Sequence, residues 1–208
     1  MINNTYWDTE DLKELNKCIS EAGTSQQGGS IYANGTRTFS IRKNIEDVRQ
    51  NLIRVGELCS SIVEVGFNAG HSNMLFLLLN PKNNILNFDL MGHKYSEPCL
   101  EYLKSKYNVK MIKGNSIITI PEYEVECKYD AIHIDGGHGD TCAFHDLVNC
   151  RKFAHKKTLL IFDDTNSETI TNILEFAIRC KWIKEINYDK QGFIKTTHHR
   201  IFNYNLRT

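Results

Sequence analysis

Much that would settle this chain's class at a glance is missing. Its 7 cysteines include no C-x-x-C pair, so neither a zinc ribbon nor a dithiol redox motif is written there. An odd, scattered set suggests reduced thiols in a cytosol-like compartment. Only 3 of the 208 residues are proline, and there is no internal repeat or low-complexity segment, which excludes linkers and solenoid arrays. No apolar run approaches the roughly 18–20 residues of a membrane span. The opening MINNTYWDTED is polar and acidic and does not read as a signal peptide. Lys+Arg and Asp+Glu both number 25, for a formal net charge of zero, so the broad basic field of a nucleic-acid binder is absent. These absences lead to three expectations: a cytoplasmic location, no membrane span and no nucleic-acid partner.

What remains reads as an ordinary globular composition, 41% apolar and 24% charged, long enough for one α/β domain with a full core. Leu12, Leu15 and Ile19 give residues 8–22 a helical stripe that stops at Gly23. Residues 23–38 are a polar, glycine-rich loop, either surface or a lid over a site. A second helix fits 43–58, with Ile45, Val48, Leu52 and Val55 on one face. Residues 1–58 therefore form a helical cap and loop, and 59–208 a core, within one domain. From Ser61 strand and helix alternate. Strands are predicted at 61–65, Ile85–Phe88, Val109–Ile112, Tyr129–Ile134 and Thr158–Phe162. Helices are predicted from Met74, over Ser96–Tyr107 with Ser96 as N-cap, over 140–153 and over Ser167–Cys180. Two more strand candidates, Trp182–Tyr188 and Gly192–Tyr204, flank a turn at Asp189–Gln191. Repeated β-α units predict a parallel sheet covered on both faces.

The organising stretch is Ser61–Ser72, SIVEVGFNAGHS: a buried strand, a turn broken by Gly66 and Gly70, then a helix. Such a turn aims backbone N–H groups at a ligand on the carboxyl edge of the sheet. The glycines are four apart, with Glu64 two residues before the first, which is not the G-x-G-x-x-G of dinucleotide binders. Acidic residues recur at the strand ends: Glu64, Asp89, Asp135, and Asp163 with Asp164. In a parallel sheet these ends share one edge. Asp89, 23 residues after Gly66, suits the two hydroxyls of a ribose.

The glycine spacing resembles the first motif, E/D-x-G-x-x-x-G, of class I S-adenosylmethionine (SAM) dependent methyltransferases. Asp135-Gly-Gly-His138, read with Phe162-Asp163-Asp164 and with FDLMGHKYSEPCLEYL at 88–103, resembles the metal-dependent small-molecule and sugar O-methyltransferases. That group includes the macrolide-sugar, rhamnosyl and cephalosporin-hydroxylase-like proteins. The Asn/Asp-Pro-Pro-Tyr/Phe motif of amino methyltransferases is absent. The resemblance runs from about Glu64 to Asn166.

It implies a Rossmann-like fold with a mostly parallel seven-stranded sheet, closed by a C-terminal antiparallel hairpin. It implies SAM held by Glu64, Gly66, Phe67, Asn68, Gly70, Ser72, Asp89, Asn115, Ser116 and Asp135, although Asn115 stands where relatives have Asp. It implies Mg²⁺ or Mn²⁺ on Asp135, Asp163 and Asp164, since all-oxygen ligands favour hard cations. His138 becomes the base that takes the hydroxyl proton, with Asp135 beside it. The expected activity is methyl transfer to a hydroxyl of a sugar or glycan. The rivals are a catechol-type small-molecule enzyme, a nucleic-acid methyltransferase and a non-catalytic SAM-binding protein. A small-molecule or glycan substrate is the implied partner, and a homo-oligomer stays open. His71 is placed near the cofactor turn. Arg37, Arg42 and Lys43 read as a solvated face and His198, His199 and Arg200 as sheet surface. His93, His133, His145 and His155 receive no role.

Overall fold

The computed structural model describes residues 9–27, 31 and 46–206. Most of the predicted loop at 23–38, the start of the second helix with Ile45, and Arg37, Arg42 and Lys43 lie outside the described residues.

Thr9 caps α1 (Glu10–Glu21), its hydroxyl accepting from the Leu12 N–H at 3.3 Å. The helix buries the predicted Leu12, Leu15 and Ile19. Helix α2 (Glu46–Leu58) follows, and then the alternating core. Its strands are β1 (Ser61–Val65), β2 (Asn84–Asp89), β3 (Val109–Lys113), β4 (Tyr129–Ile134) and β5 (Ala154–Phe162). They alternate with α3 (His71–Leu79), α4 (Ser96–Lys106), α5 (Ser116–Glu122) and α6 (Asp140–Asn149). Then come α7 (Glu168–Arg179), β6 (Ile183–Glu185), α8 (Tyr188–Gln191) and β7 (Arg200–Tyr204). The seven strands form one sheet in the order β3-β2-β1-β4-β5-β7-β6. The first five are parallel, and β7 runs antiparallel between β5 and β6. The order reverses between β1 and β4, the switch point where open α/β sheets bind ligands.

Strand alternation divides the sheet into two faces. Val63, Val65, Leu86, Phe88, Ile132, Ile134, Leu160 and Phe162 point into one core, closed by Ile120, Ala143, Leu147, Ile170 and Leu174 from α5, α6 and α7. Ile62, Ile85, Ala131 and Ile161 point into the other, beneath α1 to α4. The second face also carries a polar row. Asn87, Glu64 and His133 are register partners across β2, β1 and β4, and all are buried.

Five predictions are corrected. Helix α5 was not anticipated, because SIITIPE is β-branched and ends near proline; the Asn115 cap overrides that bias. Ser96 is not an N-cap: its hydroxyl donates instead to the Asn68 carbonyl at 2.6 Å. The helix expected over 140–153 closes as a 3₁₀ turn at Cys150–Phe153, and β5 starts at Ala154, where Tyr129 pairs it. The tail strands are shorter than expected. Residue Asn187 caps a helical turn at α8, and Asn51 of α2 bonds both the N–H and the carbonyl of Ile194 at 2.7 Å. A side chain thus supplies what a neighbouring strand would have supplied. His199 is therefore buried against Asn51 at 2.8 Å, not on the sheet surface.

Candidate active site

The turn after β1 is shaped by close approach. Gly66 has φ +97°, and a Cβ there would sit 1.9 Å from the Asp135 carbonyl oxygen at the end of β4. The glycine is required by the meeting of two strand ends, before any ligand is considered. Asp89 closes the turn from the other side. One carboxylate oxygen accepts from the N–H groups of Phe67 at 2.6 Å and Asn68 at 3.2 Å, the other from Met91 at 2.5 Å. Asn68, with φ +53°, accepts from the Tyr95 hydroxyl at 2.8 Å and donates to the Gln27 carbonyl at 2.9 Å. The segment after α1 is thereby tied over the turn.

Beneath it lies Glu64, fully buried, which accepts from Ser72, Asn73 and His133. Asn73 and Asn87 exchange two amide bonds of 2.9 Å. The row is an underlayer that fixes the start of α3 on the sheet.

Above the carboxyl edge opens a cavity of about 900 Å³, within the range of small-molecule sites. Of the predicted residues, Gly66, Phe67, Asn68, Ser72, Asp89, Asn115, Ser116, Asp135, His138, Asp163 and Asp164 line it. Glu64 and Gly70 do not: Glu64 is sealed below, and a Cβ on Gly70 would strike the Phe67 ring at 2.7 Å. Asn115 caps α5 through its side-chain oxygen, which accepts from the Ile117 N–H at 3.0 Å. His71 sits at the cavity as expected, with burial lowering its pKa to about 3.

Beside the turn, along the same sheet edge, β4 and β5 stop side by side and crowd carboxylates together. Burial first, and then the charge of Asp163, raise the pKa of Asp135 well above the usual range. Burial raises Asp163 to about 6 against the opposing charge of His133. His133 was given no role by the sequence; burial alone would lower its pKa, but the bond and charge of Glu64 overcome this and bring it to about 9. Asp164 adopts φ +55°, an uncommon conformation for a non-glycine residue. Its carboxylate lies 3.0 Å from Nε2 of His138, whose side chain is 60% exposed.

Two sets of possible metal ligands occur among the described residues. His133, Asp135 and Asp163 form one, and Asp135, His138 and Asp164 the other, each with ligand atoms within 4.8 Å of one another. The expected all-carboxylate trio does not form a set; each set includes a histidine. The signal for His133 was present in the sequence as a polar residue in an apolar strand, two before Asp135.

A parallel sheet with one antiparallel strand, a glycine turn at the switch point and carboxylates around a single cleft define a class I, SAM-dependent methyltransferase. Residues 63–165 carry the family signature directly: they match the family described as a methyltransferase domain. Solved structures agree on the fold. The cofactor-bound protein Rv0187 from MTB has a TM-score of 0.71 at 12% identity, covering 96% of this chain and 92% of that one. An O-methyltransferase from Bacillus cereus in complex with SAH scores 0.64 at 13% identity, covering 94% and 89%. CalS11, a TDP-rhamnose 3'-O-methyltransferase of calicheamicin biosynthesis, scores 0.61 at 14% identity, covering 98% and 100%. No curated protein matches the chain by sequence. No described helix is long and apolar enough to cross a membrane.

Proposed function

We propose that this methyltransferase acts on oxygen, transferring the methyl group of SAM to a hydroxyl of a sugar or glycan with the help of a divalent cation. One observation carries the reading: His138, Asp135, Asp163 and Asp164 line the same cavity as the glycine turn and Asp89. The glycine turn and Asp89 receive the cofactor by shape and by the Asp89 carboxylate, since the N–H groups of Gly66, Phe67, Asn68 and Gly70 are already bonded within the fold. Beyond the three N–H bonds it already accepts, Asp89 keeps about one lone pair, on the oxygen bonded to Met91, for a ribose hydroxyl. When bound, SAM supplies an electrophilic methyl group, and a cation on the carboxylates lowers the pKa of a coordinated hydroxyl.

The residues of the chain then orient and deprotonate the acceptor. Asp164, 3.0 Å from Nε2 of His138, holds the imidazole beside the carboxylates, and the ring takes the hydroxyl proton. Two adjacent substrate oxygens suit a site with several carboxylates on one side, as a sugar diol provides. The products are the methyl ether, S-adenosylhomocysteine and one proton, so the step balances without a further reactant.

The test is methyl transfer from SAM to a panel of deoxy-sugars, glycosides and catechols, with Mg²⁺ or Mn²⁺ and with EDTA. EDTA-sensitive transfer to a sugar hydroxyl is the expected result. Transfer confined to catechols would replace the acceptor class. Transfer indifferent to EDTA would remove the cation. Binding of SAM with no transfer to any acceptor would contradict an enzyme acting on these hydroxyls.

A further inference from the structure

His133 closes the polar row at β4, and its two ring nitrogens are treated unequally. The residue is 1% exposed and lines the cavity floor. Its Nδ1 lies 2.8 Å from Glu64. An ionised carboxylate only accepts, so this bond keeps a proton on Nδ1. Nε2 is buried with no hydrogen-bond partner among the described residues. A buried polar atom without a partner is uncommon and calls for an explanation.

The strand register supplies one. His133 and Asp135 are two apart along the end of β4 and so share a face, and Asp163 follows Phe162, the register partner of Ile134. A ring nitrogen of His133 and carboxylate oxygens of Asp135 and Asp163 lie within 4.8 Å of one another. With metal–ligand bonds of roughly 2.0–2.3 Å, one ion bridges such a span with little movement. A histidine that donates one N–H to a carboxylate and gives its other nitrogen to a metal is a general arrangement of metal sites, the ion displacing the proton that Nε2 carries in the metal-free site.

We propose that His133 is a nitrogen ligand of a divalent cation whose oxygen ligands are Asp135 and Asp163, and that Glu64 is the carboxylate that orients the imidazole. The proposal rests on the cation-assisted reading above and changes the ion that reading implies. Mg²⁺ prefers oxygen ligands in near-ideal octahedral geometry. A mixed nitrogen and oxygen set moves the preference to Mn²⁺ and the later first-row ions. It also gives the buried row a purpose: the side chain that anchors the cofactor turn from below also orients a metal ligand, linking the turn to the carboxylates through Glu64.

The experiment loads the full-length protein with Mn²⁺, without SAM, and records pulsed EPR for ¹⁴N coupling. Imidazole coupling is expected in the wild type, in His138→Ala and in His198→Ala, and is expected to vanish in His133→Gln. That amide can still donate to Glu64, and a thermal melt checks that the variant folds; if it does not, the other three spectra still decide. Mn²⁺ is expected to bind about 10-fold or more tightly than Mg²⁺ in competition. Bound Mn²⁺ without nitrogen coupling, or coupling lost in His138→Ala or His198→Ala, overturns the assignment of His133 and leaves the cation-assisted reading standing. Failure of a folded, SAM-binding sample to take up Mn²⁺ overturns both.

Discussion

On the sheet face beneath α5, α6 and α7, the central strands present only apolar side chains, from Val63 and Leu86 to Ile132 and Leu160. On the opposite face the same strands interrupt their apolar run with Asn87, Glu64 and His133, set side by side in register and sealed from solvent. Both faces are equally buried, and they do different work. Burial of the first stabilises in proportion to area, at roughly 25 cal/mol per Å². The second gains little from burial, because a buried polar group contributes only when every partner is in place. It lies directly under the glycine turn and beside the carboxylates. The difference shows where this fold gives up stability for position: the apolar face holds the domain together, and the polar face holds the site in shape.

Four effects bear on that division. The largest effect should be on rate alone. His138→Ala should slow methyl transfer by roughly 10²–10⁴-fold and leave the unfolding midpoint unchanged, since the side chain is 60% exposed. A near-normal rate would deny it the role of base.

Next comes the polar row itself. Glu64→Leu keeps the volume and strips partners from His133, Ser72 and Asn73. Urea unfolding should show a loss of about 3–5 kcal/mol, whereas Glu64→Gln should lose only a fraction of it. Leu160→Ala on the apolar face should lose about 2–5 kcal/mol through its cavity, with SAM affinity spared in the surviving fold. If Glu64→Leu unfolds no more easily than Glu64→Gln, the row is not held by the hydrogen bonds that Glu64 accepts.

A smaller effect, of opposite sign, is expected at Asp163. Its folded pKa of about 6 stands above its unfolded value near 3.8. The stabilising contribution of the protonated form is therefore complete below pH 3.8 and lost as pH rises through 6. Asp163→Asn should then raise stability by about 1–3 kcal/mol at pH 8, with no gain at pH 3. A loss at pH 8 would mean that the carboxylate is stabilising as it stands.

The smallest effect should appear in mild acid. His71 and His199 both have folded pKa values of about 3, below the unfolded 6.5, through burial. Their contribution is present above pH 6.5 and is lost as pH falls toward 3. Wild-type stability should drop by about 1–2 kcal/mol per histidine between pH 6.5 and pH 5, and His199→Gln should flatten its share. An unchanged slope in that variant would show that His199 is already charged in the fold.

The sequence made the apolar face legible and left the polar one obscure, for a physical reason. Alternating apolar residues announce strands and helix stripes, so the parallel core, α1, α7 and the edge bearing Asp89, Asp135 and Asp163 could be read directly. The role of Glu64 could not: its motif position suggests contact with the cofactor, and only the register with Asn87 and His133 shows it sealed beneath the turn. His133 looked like one more histidine because its partners are 69 and 30 residues away in sequence, at Glu64 and Asp163. The tail misled because Asn51 satisfies Ile194 from 143 residues away. Long-range pairing of polar side chains leaves no period in the sequence.

The most direct test of a SAM site at the switch point is calorimetry of SAM with the folded wild type and with Asp89→Ala. One-to-one binding in the wild type is expected, weakened in the variant by about 1–3 kcal/mol from lost hydrogen bonds. A folded wild type that takes up no SAM, or an Asp89→Ala variant that binds it with undiminished affinity, would contradict the placement of the cofactor on the turn after β1.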